Sequence, residues 1–319
     1  MKKEILFICL IMCLLQAKAQ DKNIEQRIDS VMNLMTLEEK VGQMIQINGK
    51  SAITGPQTYN SDFEKQLKSG MLGSLLNAVG VDYTRDIQRM AVEETRLGIP
   101  LIFGFDVIHG WKTILPIPLG EAASWDLEVI KKGSIITAIK AAAAGQHWTF
   151  APMVDIARDP RWGRITEGSG EDTFLGSKIA AARVRGLQGD NLSADNTIAA
   201  CVKHFAAYGA AEGARDYNTV DMSERTLRDI YLPPFKAALD AGAQTFMTAF
   251  NEISGVPATG NKFLLDQVLR KEWGFDGFVV SDHGAVTEMI KHGFAENEYA
   301  ATILGANTGC DMDMSSQAY

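Results

Sequence analysis

The sequence predicts an α/β fold, a (β/α)8 barrel of the TIM type, on three observations. Short apolar runs alternate with stretches of helical spacing along the chain, and alternating strand and helix imply a parallel sheet with crossovers. The strand-like runs number eight over roughly 280 residues, close to the ~250 residues typical of such a barrel. Polar and charged residues fall repeatedly at the C-terminal ends of those runs, where a barrel assembles its active site.

The first twenty residues stand apart. Lys2 and Lys3 precede an apolar run from Ile5 to Leu15, and Ala17-Lys18-Ala19 offers a small-x-small cleavage site before Gln20. Residues 1–19 therefore read as a secretory signal peptide and 20–319 as the barrel, which places the mature chain outside the cytoplasm, in the periplasm if the cell has one. Met12 is not the small residue that lipid attachment at Cys13 would want. No later stretch approaches membrane-spanning length.

Thr36-Leu37-Glu38-Glu39 fits a capping box that opens a helix leading into the run 43–47. Further strand-like runs follow at 71–78, 101–106, 148–155, 197–204, 245–250, 278–282 and 309–314. Between them, Ile87, Met90, Ala91 and Leu97 carry helical spacing up to Gly98 and Pro100, and Leu264, Leu265, Val268, Leu269 and Trp273 carry it up to Gly274. Doubly wound sheets share this rhythm, but no Gly-rich phosphate fingerprint follows the first run.

Composition is that of a large globular core, 46% hydrophobic and 22% charged. Loss of the leader makes the formal charge of −8 two units more negative, which argues against nucleic acid or anionic membrane as partner and leaves neutral sugars open. Cys201 and Cys310 lie inside apolar runs and read as core residues. The five histidines show no metal spacing, so neither a metal nor another cofactor is called for. The methionines read as packing, and no Ser sits in a nucleophile elbow.

Asp282 ends the apolar run Phe278-Val279-Val280 and is a nucleophile, base or ligand candidate; capping the next turn is the plainer account. Asp106 ends the run Leu101 to Phe105 in the same manner. Asp155, Lys203 with His204, and Asn251 with Glu252 end three more. A lysine at a strand end faces an anion, either a ligand or a structural carboxylate. Asp159-Pro160-Arg161-Trp162-Gly163-Arg164 places two guanidinium groups around an aromatic face that could stack on a sugar; a salt-bridged loop, with Glu167, Glu171 and Asp172 as partners of the arginines, is the alternative.

Four motifs in order, Phe105-Asp106-Val107-Ile108-His109-Gly110, Asp159-Pro160-Arg161-Trp162-Gly163-Arg164, Lys203-His204-Phe205 and Gly277-Phe278-Val279-Val280-Ser281-Asp282, resemble those of family 3 glycoside hydrolases, most of all the bacterial periplasmic β-glucosidases. The resemblance covers essentially the whole mature chain. It implies retaining hydrolysis of terminal β-glucosyl residues with Asp282 as nucleophile. Asp106, Arg164, Lys203 and His204 would hold the hydroxyls of the innermost sugar, with Met247 and Asp216 nearby. Cations beside Asp282 are expected to keep it ionised.

The chain departs from the family's pattern at Phe250, where many relatives have a Tyr, so one hydrogen bond to Asp282 is missing or supplied elsewhere. The loop Phe205 to Glu212 lacks the His of the N-acetylglucosaminidase branch. The resemblance also implies a second domain after the barrel that supplies the acid/base Glu. The chain ends at Tyr319, just past the eighth run, and is expected to be part of a longer enzyme; Glu288 and Glu171 are the substitute acids at hand, with helix-surface and salt-bridge roles as their plainer accounts. Two other classes stay open, a barrel lyase or aldolase using Lys203 as a Schiff-base amine and a sugar-binding barrel without turnover.

Overall fold

The computed structural model describes residues 24–49 and 63–319, and the signal-peptide assignment lies outside them. All eight predicted strands form: β1 (Ile45–Asn48), β2 (Ser74–Leu76), β3 (Ile102–Phe105), β4 (Trp148–Thr149), β5 (Ala199–Phe205), β6 (Thr245–Thr248), β7 (Phe278–Val280) and β8 (Asp313–Met314). Each pairs in parallel with its sequence neighbour, β8 pairs with β1, and a parallel bridge from Val280 to Met312 joins the ends into a barrel.

Alternation of side chains across the strands explains why the runs are apolar throughout. Leu76, Trp148, Cys201, Met247, Val280 and Met314 fill the barrel interior. Their neighbours Leu75, Phe246 and Val279 face outward, buried beneath the surrounding helices. Interior polar groups make cross-strand bonds, as where Trp148 Nε1 donates to Thr245 Oγ1 at 2.8 Å and Gln46 Nε2 to Ser74 Oγ at 2.7 Å. Cys201 and Cys310 are buried and unbonded to each other.

Helix α1 (Leu37–Gly42) leads into β1, and α2 (Phe63–Lys68), α3 (Val81–Glu93), α4 (Pro118–Ala122), α5 (Leu127–Ala142), α6 (Thr173–Gln188), α7 (Pro233–Asp240), α8 (Ala285–Lys291) and α9 (Glu298–Thr308) lie in the crossovers. The capping box at Thr36 and Glu39 forms as predicted. Two helix expectations need correction. The α3 helix stops at Glu93, before Leu97, because Thr95 Oγ1 takes the Ala91 carbonyl at 2.6 Å and then accepts from Gly98 N–H, closing the turn early. The segment Phe263–Glu272 is π-helical, yet it buries Leu264, Leu265, Val268 and Leu269 completely. Among the described residues no helix is long and apolar enough to cross a membrane.

Candidate active site

The C-terminal ends of β2 to β8 open onto a cavity of about 430 Å³. β3 delivers Asp106, β5 delivers Lys203, β6 delivers Met247 and β7 delivers Asp282 to its wall; Arg164 reaches it from the loop after β4. The pairing register between β5 and β6 slips between Val202 and Phe205, an irregularity that re-aims side chains; Lys203 lines the cavity, while the next residue, His204, is fully buried, does not line it and meets Asp282 instead. Past Asp282, Gly284 adopts φ 74, a left-handed conformation that glycine takes without a Cβ penalty, and turns the chain into α8.

Charge is arranged in pairs. Lys203 Nζ lies 2.7 Å from Asp106 Oδ1, the anion expected at that strand end. Burial works against the Lys203 charge, but Asp106, Glu167 and Asp282 outweigh it and hold its pKa above the ordinary value. Arg164 makes a two-pronged contact with Glu167, at 2.6 and 2.9 Å, and its guanidinium covers the Tyr208 ring at 5.5 Å. Its pKa is likewise raised despite burial. Glu167, which also lines the cavity, is held below the usual carboxylate range, the arginine overcoming the cost of burial.

Asp282 is 8% exposed. Its Oδ1 accepts from the backbone N–H of His283 at 2.7 Å, and its Oδ2 lies 3.4 Å from His204 Nε2. Burial raises its pKa to about 6, against the pull of Arg164 and Lys203. The neighbouring cations act in the expected direction, but loss of water is the larger effect, so the carboxylate is ionised only above about pH 6.

Several expectations change with the geometry. Trp162 cannot stack on a sugar, since it is buried and donates through Nε1 to Asp216 Oδ1 at 3.0 Å. Asp216 therefore stands behind the cavity wall, and Tyr217, the next residue, lines it instead. Arg161 is a surface residue paired with Asp159 at 2.6 Å. Of the three acids expected to pair with the arginines only Glu167 does so; Asp172 caps α6 through Leu175 N–H, and no arginine pairs with Glu171 among the described residues. Asn251 and Glu252 lie away from the cavity, Glu252 in a small hairpin with Ile253, Val256 and Pro257.

Sequence reasoning passed over Tyr217 and the role of His283. Tyr217 stacks on Phe250 with ring centroids 4.3 Å apart, and both line the cavity; it sits in an irregular loop where no periodicity could mark it. His283 lines the cavity too, its ring within 3.2 Å of the Asn48 amide, and only its place beside Asp282 hinted at this.

This geometry agrees with what comparison with known proteins finds. The model of the glycosyl hydrolase family 3 N terminal domain matches residues 36–319. The chain belongs to that family. As a family 3 domain it is 43% identical over 292 residues to a periplasmic beta-glucosidase of Salmonella typhimurium, covering 92% of this chain and 38% of that protein. A beta-xylosidase of Formosa agariphila is 34% identical, over 92% of this chain and 37% of its own length. The crystal structure of a beta-glucosidase from Listeria innocua in complex with glucose superposes with a TM-score of 0.83 at 43% identity, covering 91% of this chain and 42% of that one. The family 3 domain thus spans about two fifths of the relatives it matches.

Proposed function

We propose that this family 3 domain takes part in hydrolysis of terminal β-glucosyl residues by a retaining, double-displacement route with Asp282 as nucleophile. The observation that carries the reading is Asp282 itself, a buried carboxylate at the C-terminal end of β7 in a cavity ringed by Lys203, Arg164 and Asp106. Its Oδ2 attacks the anomeric carbon, and the aglycone leaves with the electron pair of the scissile bond. Asp106, Arg164 and Lys203 bind and orient the sugar; His204, buried beside the cavity, backs Asp282; Met247 supplies apolar floor; Asp216 steadies the wall through Trp162. The glucose complex of the Listeria relative supports a sugar ligand.

A retaining route also needs a proton donor for ordinary leaving groups. Three described carboxylates line the cavity, and two of them, Asp106 and Glu167, are held by cations. Glu171 and Glu288 do not line it. We therefore assign the donor to the second domain expected after the barrel. A Schiff-base role for Lys203 is opposed by its pairing with Asp106, which holds the amine charged when attack requires it neutral.

Secretion into the periplasm, with residues 1–19 removed, completes the reading; the leader-like sequence and the periplasmic Salmonella relative support it. N-terminal sequencing of the mature protein should begin at Gln20. To test the chemistry, 2,4-dinitrophenyl β-glucoside is mixed with the purified chain, because this leaving group departs unprotonated. A burst of one equivalent of dinitrophenolate per chain is expected. A folded chain that binds glucose without any burst would leave only a sugar-binding domain.

A further inference from the structure

One buried carboxylate near the cavity has no task in the reaction as described. Asp155, on the segment after β4, is 2% exposed and lines no part of the cavity wall. Its Oδ2 accepts two hydrogen bonds from a single residue, from the backbone N–H of His204 at 2.9 Å and from ring Nδ1 at 2.9 Å. On the other side of the ring, His204 Nε2 lies 3.4 Å from Asp282 Oδ2, and neither of those two atoms has a hydrogen-bond partner among the described residues.

The hydrogen-bond inventory orders these atoms. A backbone N–H can only donate, so Asp155 Oδ2 accepts that bond, and with Asp155 ionised, carrying no proton of its own, it accepts from the ring as well. Nδ1 then carries the ring proton. Burial, reinforced by Arg164 and Lys203, holds the imidazole neutral, so Nε2 keeps its lone pair. Two lone-pair atoms facing each other at 3.4 Å do not bond, which agrees with both being unpartnered.

We propose that Asp155 is a positioning residue that locks His204 with Nδ1–H turned toward itself and a bare Nε2 turned toward the sugar pocket and the attacking oxygen. This rests on the reading of Asp282 as nucleophile. The opposite tautomer would place an Nε2–H against Asp282 Oδ2 and occupy a lone pair that attack requires. Because the two N–H groups converge on one oxygen, an asparagine at 155 can accept both through its amide oxygen, whereas alanine can accept neither.

The test begins with the unmodified chain. Histidine ring ¹⁵N spectra at pH 8, where Asp155 is ionised, with His204 assigned by its perturbation in Asp282→Asn, should show a protonated Nδ1 and a bare Nε2. A bare Nδ1 or an imidazolium would overturn the proposal. Asp155→Ala should lose that tautomer and react with 2,4-dinitrophenyl 2-deoxy-2-fluoro-β-glucoside at least tenfold more slowly at saturation. Asp155→Asn should keep the tautomer and stay within about threefold of the parent rate.

Parent tautomer and rate retained in a folded Asp155→Ala chain would show Asp155 to be merely structural and overturn the proposal. Should that variant fail to fold, the parent spectrum and Asp155→Asn decide, a reversed tautomer in either counting against it. If the parent chain takes no label, the nucleophile reading fails while the spectra still judge Asp155.

Discussion

Asp282 is pulled two ways, and the balance sets its chemistry. Lys203, Arg164 and the His283 N–H favour the carboxylate, while burial favours the acid and prevails, leaving a pKa of about 6. Attack needs the ionised form, so the rate of covalent labelling by the fluoroglucoside should be flat above that pH and fall tenfold per unit well below it. A profile still flat down to pH 4 would show that the cations win. The Lys203 to Asp106 pair offers a second test. Lys203→Met leaves Asp106 uncompensated beside the sugar site, and labelling efficiency should drop tenfold or more, ~1.4 kcal/mol or above. Of this residue-scale detail, the strand-end carboxylates and Lys203 were legible in the sequence because a charge after an apolar run has few places to go. The fate of Trp162 was not, since burial and exposure of an aromatic in a loop depend on what packs over it, here Tyr208 and Asp216.

Among the elements, strands were read well because both faces of each are buried and the apolar run is continuous. Ends of helices were read less well, because they turn on single side-chain bonds such as Thr95 to Ala91. The slip between β5 and β6, at Lys203 and His204, left no trace in the sequence. Packing within the barrel makes its own prediction. A Cβ on Gly104 of β3 would lie 2.7 Å from the Phe150 ring and 3.3 Å from the Gln46 amide, inside the filled interior. Gly104→Ala should therefore destabilise the chain by about 1–3 kcal/mol, read as a lower midpoint in urea with unchanged slope. The cap is a milder case: Thr36→Ala forfeits the bond to Glu39 N–H and should cost about 1 kcal/mol.

For the whole molecule, the site is a place where stability is given up for function. Asp282 binds its proton more tightly in the folded chain, at about 6, than an ordinary aspartate near 3.8 does, and Asp155 is pushed the same way, to about 7. A raised carboxylate pKa means that the native state takes up more protons than the unfolded state as pH falls. Their contribution to stability therefore falls as pH rises from about 4 to 7, and the loss is complete above that. Asp282→Asn should accordingly raise the melting temperature at pH 8, by an amount that fades toward pH 4. The barrel as a whole was legible from the count and rhythm of its runs, and the mouth from the charges that end them. What lay out of reach was the second tier around the mouth, where Asp155 and Tyr217 are set by contacts between segments far apart in the chain, whereas the Arg164 to Glu167 pair, three residues apart, was legible.

The central claim is that Asp282 attacks the sugar. Incubation with 2,4-dinitrophenyl 2-deoxy-2-fluoro-β-glucoside, proteolysis and peptide sequencing by mass spectrometry test it most directly. The expected result is one fluoroglucosyl group per chain on Asp282, absent from Asp282→Asn. A stable label on another residue, or none on a folded chain shown to bind glucose, would contradict it.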